Sequence, residues 1–130
     1  MVVEPIQSEG GDHHASPYFF QNLQKITKKH KIMFLIDEVQ TGLGATGKLW
    51  AHEHFDLAES PDLVTFAKKM QTGGYYFRKD LNPQQPFRIL NTWLGDPIRI
   101  LFLEATLEAI KRDNLIRLNK ETGKFIFLFY

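Results

Sequence analysis

Apolar residues fall along this chain in short bursts, and the spacing inside each burst differs from place to place. Met1-Val2-Val3 is an apolar run stopped by Glu4-Pro5, because proline restricts the residue before it and cannot donate to a strand ladder. The polar stretch from Gln7 to His14, with Gly10-Gly11 inside it, predicts a loop. Ser16-Pro17 then supplies an N-cap followed by proline at the first helical position. Tyr18, Phe19, Leu23 and Ile26 share one face at helical spacing, so a helix is expected to run to about His30. Ile32–Ile36 is continuously apolar, as in a parallel strand buried on both faces. Strand, helix and strand in this order make a βαβ unit, and an α/β fold with a helix-covered parallel sheet follows.

Leu63-Val64-Thr65-Phe66 is the next strand, ending just before Ala67-Lys68. Gly73-Gly74 leads into Tyr75-Tyr76-Phe77, for which Phe87-Arg88-Ile89-Leu90 is the expected partner, with Asn82-Pro83 in the turn between them. From Pro97 the apolar residues Ile100, Leu101, Leu103, Leu107 and Ile110 predict an amphipathic helix, and a second helix begins near Asn114. Phe125 to Tyr130 is uncharged, apolar and aromatic: a buried strand, a native chain end, or sequence from outside the domain.

Composition narrows the chemistry. At 130 residues with 43% hydrophobic content, the chain is sized for one domain with a real core. A net charge of +1 gives no field that favours nucleic acid or an acidic membrane as partner. The basic run Lys25 to Lys31 reads as the solvated end of a helix. Cysteine is absent, which excludes disulfides, thiolate metal sites and a cysteine nucleophile together. No apolar run reaches the roughly 20 residues of a membrane span, and the N-terminus lacks the basic and apolar regions of a signal peptide.

The stretch Ile32 to Lys48 imitates a nucleotide site. An apolar strand ends on Asp37-Glu38, and Gly42-Leu43-Gly44-Ala45-Thr46-Gly47-Lys48 has P-loop spacing. Leu49, however, stands where a P-loop needs a hydroxyl for magnesium, and the acidic strand precedes the loop instead of following it. Asp37 is either a solvated strand end or a ligand residue. The carboxyl ends of parallel strands are where open α/β sheets bind ligands, and Asp37 and Glu38 point in opposite directions, so only one can face a given pocket. Lys68 follows a second strand at the same sheet edge, with Lys69 as its competitor. A carboxylate and a lysine placed in this way suit pyridoxal phosphate, which is held as a Schiff base to lysine with an acidic partner on its ring nitrogen.

The run "FLIDEVQTGLGATGKLWAHEHF…PDLVTFAKKMQTGG" resembles the class III pyridoxal-phosphate aminotransferases: an Asp-Glu pair after an apolar strand, a Gly-Thr-Gly loop, a second strand ending in Ala-Lys, and a Gly-Gly close. Within the family, "VVEPIQSEGGDHHAS", "WAHEHF" and "RILNTWLGDP" are most similar to the animal-type members that act on 4-aminobutyrate. The resemblance spans Val2 to Gly123 and implies that residues 1–123 form part of the large cofactor-binding domain of a fold-type I enzyme, with 124–130 a divergent apolar tail.

Carried over by position, Asp37 would bond the pyridine nitrogen and Lys68 would be the Schiff-base lysine and proton shuttle. Val39 would pack on the ring and Gln40 would bond its hydroxyl. Glu9 and Glu4 would belong to the substrate pocket, and Thr92 would reach the cofactor phosphate of a neighbouring subunit, implying a homodimer. The implied reaction moves an amino group from 4-aminobutyrate to 2-oxoglutarate in the mitochondrial matrix, although no transit peptide is present. The alternatives are a family member acting on ornithine or β-alanine, and a non-catalytic piece that acts only by pairing with full-length subunits. His52 and His54 lack metalloprotease spacing and are read as structural, with no metal site. Two departures from the family stand out: Ala45, where many members carry arginine, and the end after Gly123. The family's phosphate-cradling loop lies before Met1, so a weakly stable chain without a full pocket is expected.

Overall fold

The computed structural model describes residues 1–128. Its elements are β1 (Val2–Val3), β2 (Ile6–Gln7), β3 (His13–His14), α1 (Pro17–Lys29), β4 (Leu35–Asp37), β5 (Leu63–Phe66), β6 (Gly74–Phe77), α2 (Pro97–Arg112) and α3 (Leu115–Phe127), with short 3-10 turns between β4 and α2. The main sheet has the order β1-β4-β5-β6. β1 and β5 both run parallel to β4, and β6 closes one edge antiparallel to β5. This is the α/β architecture expected, a mostly parallel sheet flanked by helices.

α1 begins where the sequence placed it. The Ser16 hydroxyl accepts from Phe19 N at 3.3 Å, and Lys28 and Lys29 fall in the last turn, where they favour the negative end of the helix dipole. The buried line differs from the expected one: Phe20, Gln24 and Thr27 face inward, while Tyr18, Phe19 and Ile26 are exposed. Two polar residues can be buried here because both are satisfied. Gln24 donates to Glu59 O at 2.8 Å, and the Thr27 hydroxyl donates to Leu23 O and Gln24 O. Phe20 stacks on Phe55 with ring centroids 3.8 Å apart. Phe20, Phe34, Ile36, Phe55 and Val64 are the centre of the core.

Two further expectations are corrected, and one of the alternatives for the chain end falls. The Gln7–His14 loop contains a hairpin in which β2 and β3 pair antiparallel, with Gly11 and Asp12 at positive φ in its turn. Phe87–Leu90 is not a strand: β6 pairs with β5 instead, Pro83 and Pro86 interrupt the segment, and Phe87 lies at φ +61 with 81% of its surface exposed. Phe125 to Phe127 are not a strand either. They form the exposed last turn of α3, because the helix begun at Leu115 continues through them; Phe129 and Tyr130 lie outside the described residues.

The glycine loop after β4 is tightly packed. A Cβ on Gly42 would stand 2.9 Å from both Glu38 O and the Trp50 ring. Gly44 (φ +90) and Gly47 (φ +82) lie against Ile116 and Lys120 of α3, so the surface these glycines approach within this chain is a helix. Asn119 on α3 donates to Gly44 O at 2.8 Å and to Ala45 O at 3.0 Å, pinning the loop from above. Gly42→Ala is therefore expected to cost about 1–3 kcal/mol by overpacking. The measurement is the urea midpoint at constant slope; a midpoint equal to that of the wild type would mean that the loop shifts freely.

Candidate active site

The two charged groups expected at the sheet edge arrive there by the strand register. Asp37, the last residue of β4, pairs with Thr65 of β5. Its Oδ1 accepts the Thr65 hydroxyl at 3.0 Å and Val39 N at 3.0 Å, while its Oδ2 accepts no hydrogen bond among the described residues. Asp37 lines a cleft of about 440 Å³ together with Val3, Glu4, Pro5, His14 and Phe19. A carboxylate fixed through one oxygen, with the other left for a donor, has the chemistry needed to bind a protonated ring nitrogen.

Glu38 turns the other way, as strand alternation requires. It is only 1% exposed and carries the densest set of bonds in the region. Its Oε2 accepts the Thr41 hydroxyl at 2.6 Å and Ala51 N at 3.1 Å. Its Oε1 accepts His52 N at 2.8 Å and lies 2.8 Å from His52 Nδ1. Burial alone would raise the Glu38 pKa; the bonds from His52, Thr41 and the two backbone N–H groups outweigh it and hold the carboxyl below its ordinary value.

Lys68 follows β5 in a short 3-10 turn and adopts φ +49, a left-handed conformation that costs a residue with a Cβ about 1–2 kcal/mol. Such strain persists where surrounding structure enforces it, which happens often at functional sites. The Lys68 Nζ donates to Oε1 of Gln40, and the Lys69 Nζ donates to the Gln40 carbonyl. The two amines diverge beyond that shared residue. Lys69 lines a separate cleft with Leu43, Gly44, Thr106, Ile110 and Asn119, between the glycine loop and the last two helices. Burial, then the adjacent charge of Lys68, lowers the Lys69 pKa, and Glu38 opposes both.

The family pattern of class-III aminotransferases matches residues 1–127. The chain belongs to that family. It is 56% identical over 123 residues to the probable mitochondrial 4-aminobutyrate aminotransferase of Caenorhabditis elegans, covering 95% of this chain and 26% of the relative. It is 52% identical over 124 residues to the mitochondrial 4-aminobutyrate aminotransferase of Homo sapiens, covering 95% of this chain and 25% of the relative. Among solved structures it superimposes on the lysine aminotransferase of M. tuberculosis in the internal aldimine form, with a TM-score of 0.88 and 35% identity, over 95% of this chain and 29% of that one. The chain thus spans about a quarter of the length of these curated relatives. Class-III aminotransferases are pyridoxal-phosphate enzymes, the cofactor that the Asp37 and Lys68 placement suggested.

The remaining expected residues divide. Glu4 is half-buried in the Asp37 cleft, and Val39 and Gln40 sit in the turn directly after Asp37. Glu9 is exposed at the tip of the β2–β3 hairpin and does not line that cleft. Thr92 is exposed in the turn before α2 and does not line the Asp37 cleft, which Lys68 does not line either; the Lys68 amine is on Gln40. Sequence reasoning missed Thr65 as the hydroxyl that holds Asp37. The signal was present, since Thr65 is the one polar residue inside the Leu63–Phe66 strand. It also missed the Glu38 network, although His52 was read as structural.

Proposed function

We propose that this chain carries part of the cofactor site of an aminotransferase that moves the amino group of 4-aminobutyrate to 2-oxoglutarate, giving succinate semialdehyde and glutamate. The observation that carries the reading is Asp37, fixed through Oδ1 by Thr65 and Val39 at the end of one parallel strand, with Lys68 at the end of the next. The identity to relatives named 4-aminobutyrate aminotransferase supports the choice of donor. Residues 1–123 would form part of the large domain, working in the mitochondrial matrix as a homodimer.

When bound, pyridoxal phosphate supplies an electron sink for the carbanion formed at the substrate carbon. Asp37 Oδ2 would accept the ring N–H and keep that nitrogen protonated. Lys68 Nζ would hold the cofactor at its aldehyde carbon and, when free, would be the base that holds and moves the proton of the amine-bearing carbon. Val39 would pack on the ring face and Gln40 would bond the ring hydroxyl. Glu4 and Glu9 would belong to the substrate side, and Thr92, exposed on its turn, would reach the phosphate held by a neighbouring subunit. Lys68 is preferred over Lys69 because it directly follows the small Ala67, and Lys69 lines a separate cleft with residues of the last two helices.

The test is to add pyridoxal phosphate and follow the visible absorbance band that a lysine adduct gives. The band is expected in the wild type, made permanent by borohydride, lost in Lys68→Ala and kept in Lys69→Ala. A Lys68→Ala chain that forms the same adduct sinks the assignment.

A further inference from the structure

Gln40 serves two neighbouring amines at once, Lys68 through its side chain and Lys69 through its carbonyl. Where Gln40 sits therefore decides where both amines sit. Its own side chain is exposed and does not anchor it. The anchor is two residues back. Glu38 N donates to Thr65 O at 3.1 Å, and Glu38 O accepts Gly42 N at 2.9 Å. Its carboxylate ties down Thr41, next to Gln40, and also Ala51 and His52, where the chain returns from the glycine loop. Gln40 is thus clamped from both sides by one buried side chain.

Sorting the two lysines requires such a clamp. They are adjacent in sequence and both exposed, and partial burial lowers the Lys69 pKa from its ordinary value, which by itself makes Lys69 a competing nucleophile. Charge therefore does not disfavour Lys69 as an amine; only its placement does. We propose that Glu38 is a positioning residue that fixes Gln40 between the two amines, so that Lys69 is docked in its own cleft and Lys68 alone is presented at the Asp37 edge. This rests on the reading of Lys68 as the cofactor lysine.

The experiment has two arms, each read by peptide mass mapping. The first is trace acylation of the cofactor-free chain with acetic anhydride, which reports the relative reactivity of Lys68 and Lys69 independently of any cofactor. The second is pyridoxal phosphate followed by borohydride. In the wild type Lys68 leads in both arms. Glu38→Ala is expected to lower the Lys68 to Lys69 ratio by about fivefold or more, within the range for losing a coupled set of contacts. Glu38→Gln, which keeps an acceptor oxygen, restores part of the ratio, both variants being labelled under conditions where melting shows them folded, so that the ratio does not follow global unfolding. Thr41→Val removes one bond of the clamp and is expected to shift the ratio less, in the same direction; it serves if Glu38→Ala does not fold. An unchanged ratio in a cooperatively melting Glu38→Ala or Thr41→Val chain overturns the proposal, as does equal acylation of the two lysines in the wild type. A shifted acylation ratio with no cofactor label upholds the sorting role and overturns the cofactor reading. Label on Lys68 with unchanged ratios in the variants does the reverse.

Discussion

Phe20→Ala is expected to destabilise the chain by about 3–5 kcal/mol, enough to unfold much of it at room temperature. Phe20 is 1% exposed, lies flat on Phe55 and meets the Phe19 ring edge-on at 5.3 Å. The stack also seats α1 on the loop after the 3-10 turn at Ala51–His54, where Gln21 donates to Phe55 O at 2.9 Å and Gln24 to Glu59 O. Removing the ring leaves a cavity under a helix whose remaining attachments are mainly polar. The reserve to absorb this loss is small, because α2 and α3 bury no side chain fully and leave Leu101, Phe102, Leu118 and Phe125 in solvent. Urea or thermal melting followed by circular dichroism tests it. A midpoint within about 4 °C of the wild type, the shift for roughly 1 kcal/mol in a domain of this size, would show that the Phe20–Phe55 stack is not the anchor.

The second large effect is a pH dependence that belongs to Glu38. Its carboxyl titrates below the unfolded value of about 4.3, since the bonds from His52, Thr41 and Ala51 outweigh the opposing effect of burial. A depressed folded pKa means that the stabilisation is fully present above the unfolded value. It is lost as pH falls through the folded one. Glu38→Ala, which leaves buried donors unpaired, is expected to cost about 3–5 kcal/mol at neutral pH. Glu38→Gln is expected to cost about 1–3 kcal/mol there, because an amide NH₂ now faces donors. The gap between wild type and Glu38→Gln should narrow as pH drops below about 4.3. Urea melts at a series of pH values between neutral and strongly acid read it directly. A gap that stays constant across that range would mean the charge on Glu38 contributes nothing to the fold.

How much of this was legible depends on the distance over which each feature is determined. The start of α1, the β5 strand and the start of α2 are written locally, in Ser16-Pro17, in an apolar run and in Asp96-Pro97. Of the Ile32–Ile36 run, by contrast, only Leu35 and Ile36 join β4, and Ile32 and Met33 are exposed. The opposite directions of Asp37 and Glu38 follow from strand alternation alone. What that alternation could not supply is the fate of Glu38, because its donors at Ala51 and His52 come from 13 and 14 residues further on, across a loop with no regular period. The inward face of α1 was misjudged for a similar reason. Gln24 becomes a core residue only because Glu59 O, far along the chain, is there to receive its amide. The Phe87–Leu90 strand failed because Pro86 and the positive φ at Phe87 break the segment, while β6 takes β5 as its partner. At the site, residue types singled out Asp37 and Lys68 as candidates, but the separate cleft lined by Lys69 needed the position of the last two helices.

The left-handed backbone at Lys68 has a consequence for anyone who alters this protein. Glycine is the residue that fits φ +49 with least strain, so at this one codon heat resistance and the chemistry proposed for Lys68 reward opposite choices. A library selected only for surviving heat will drift toward glycine at position 68 and lose the amine without any sign of failure in its melting curves. That codon has to be held fixed before any such selection begins.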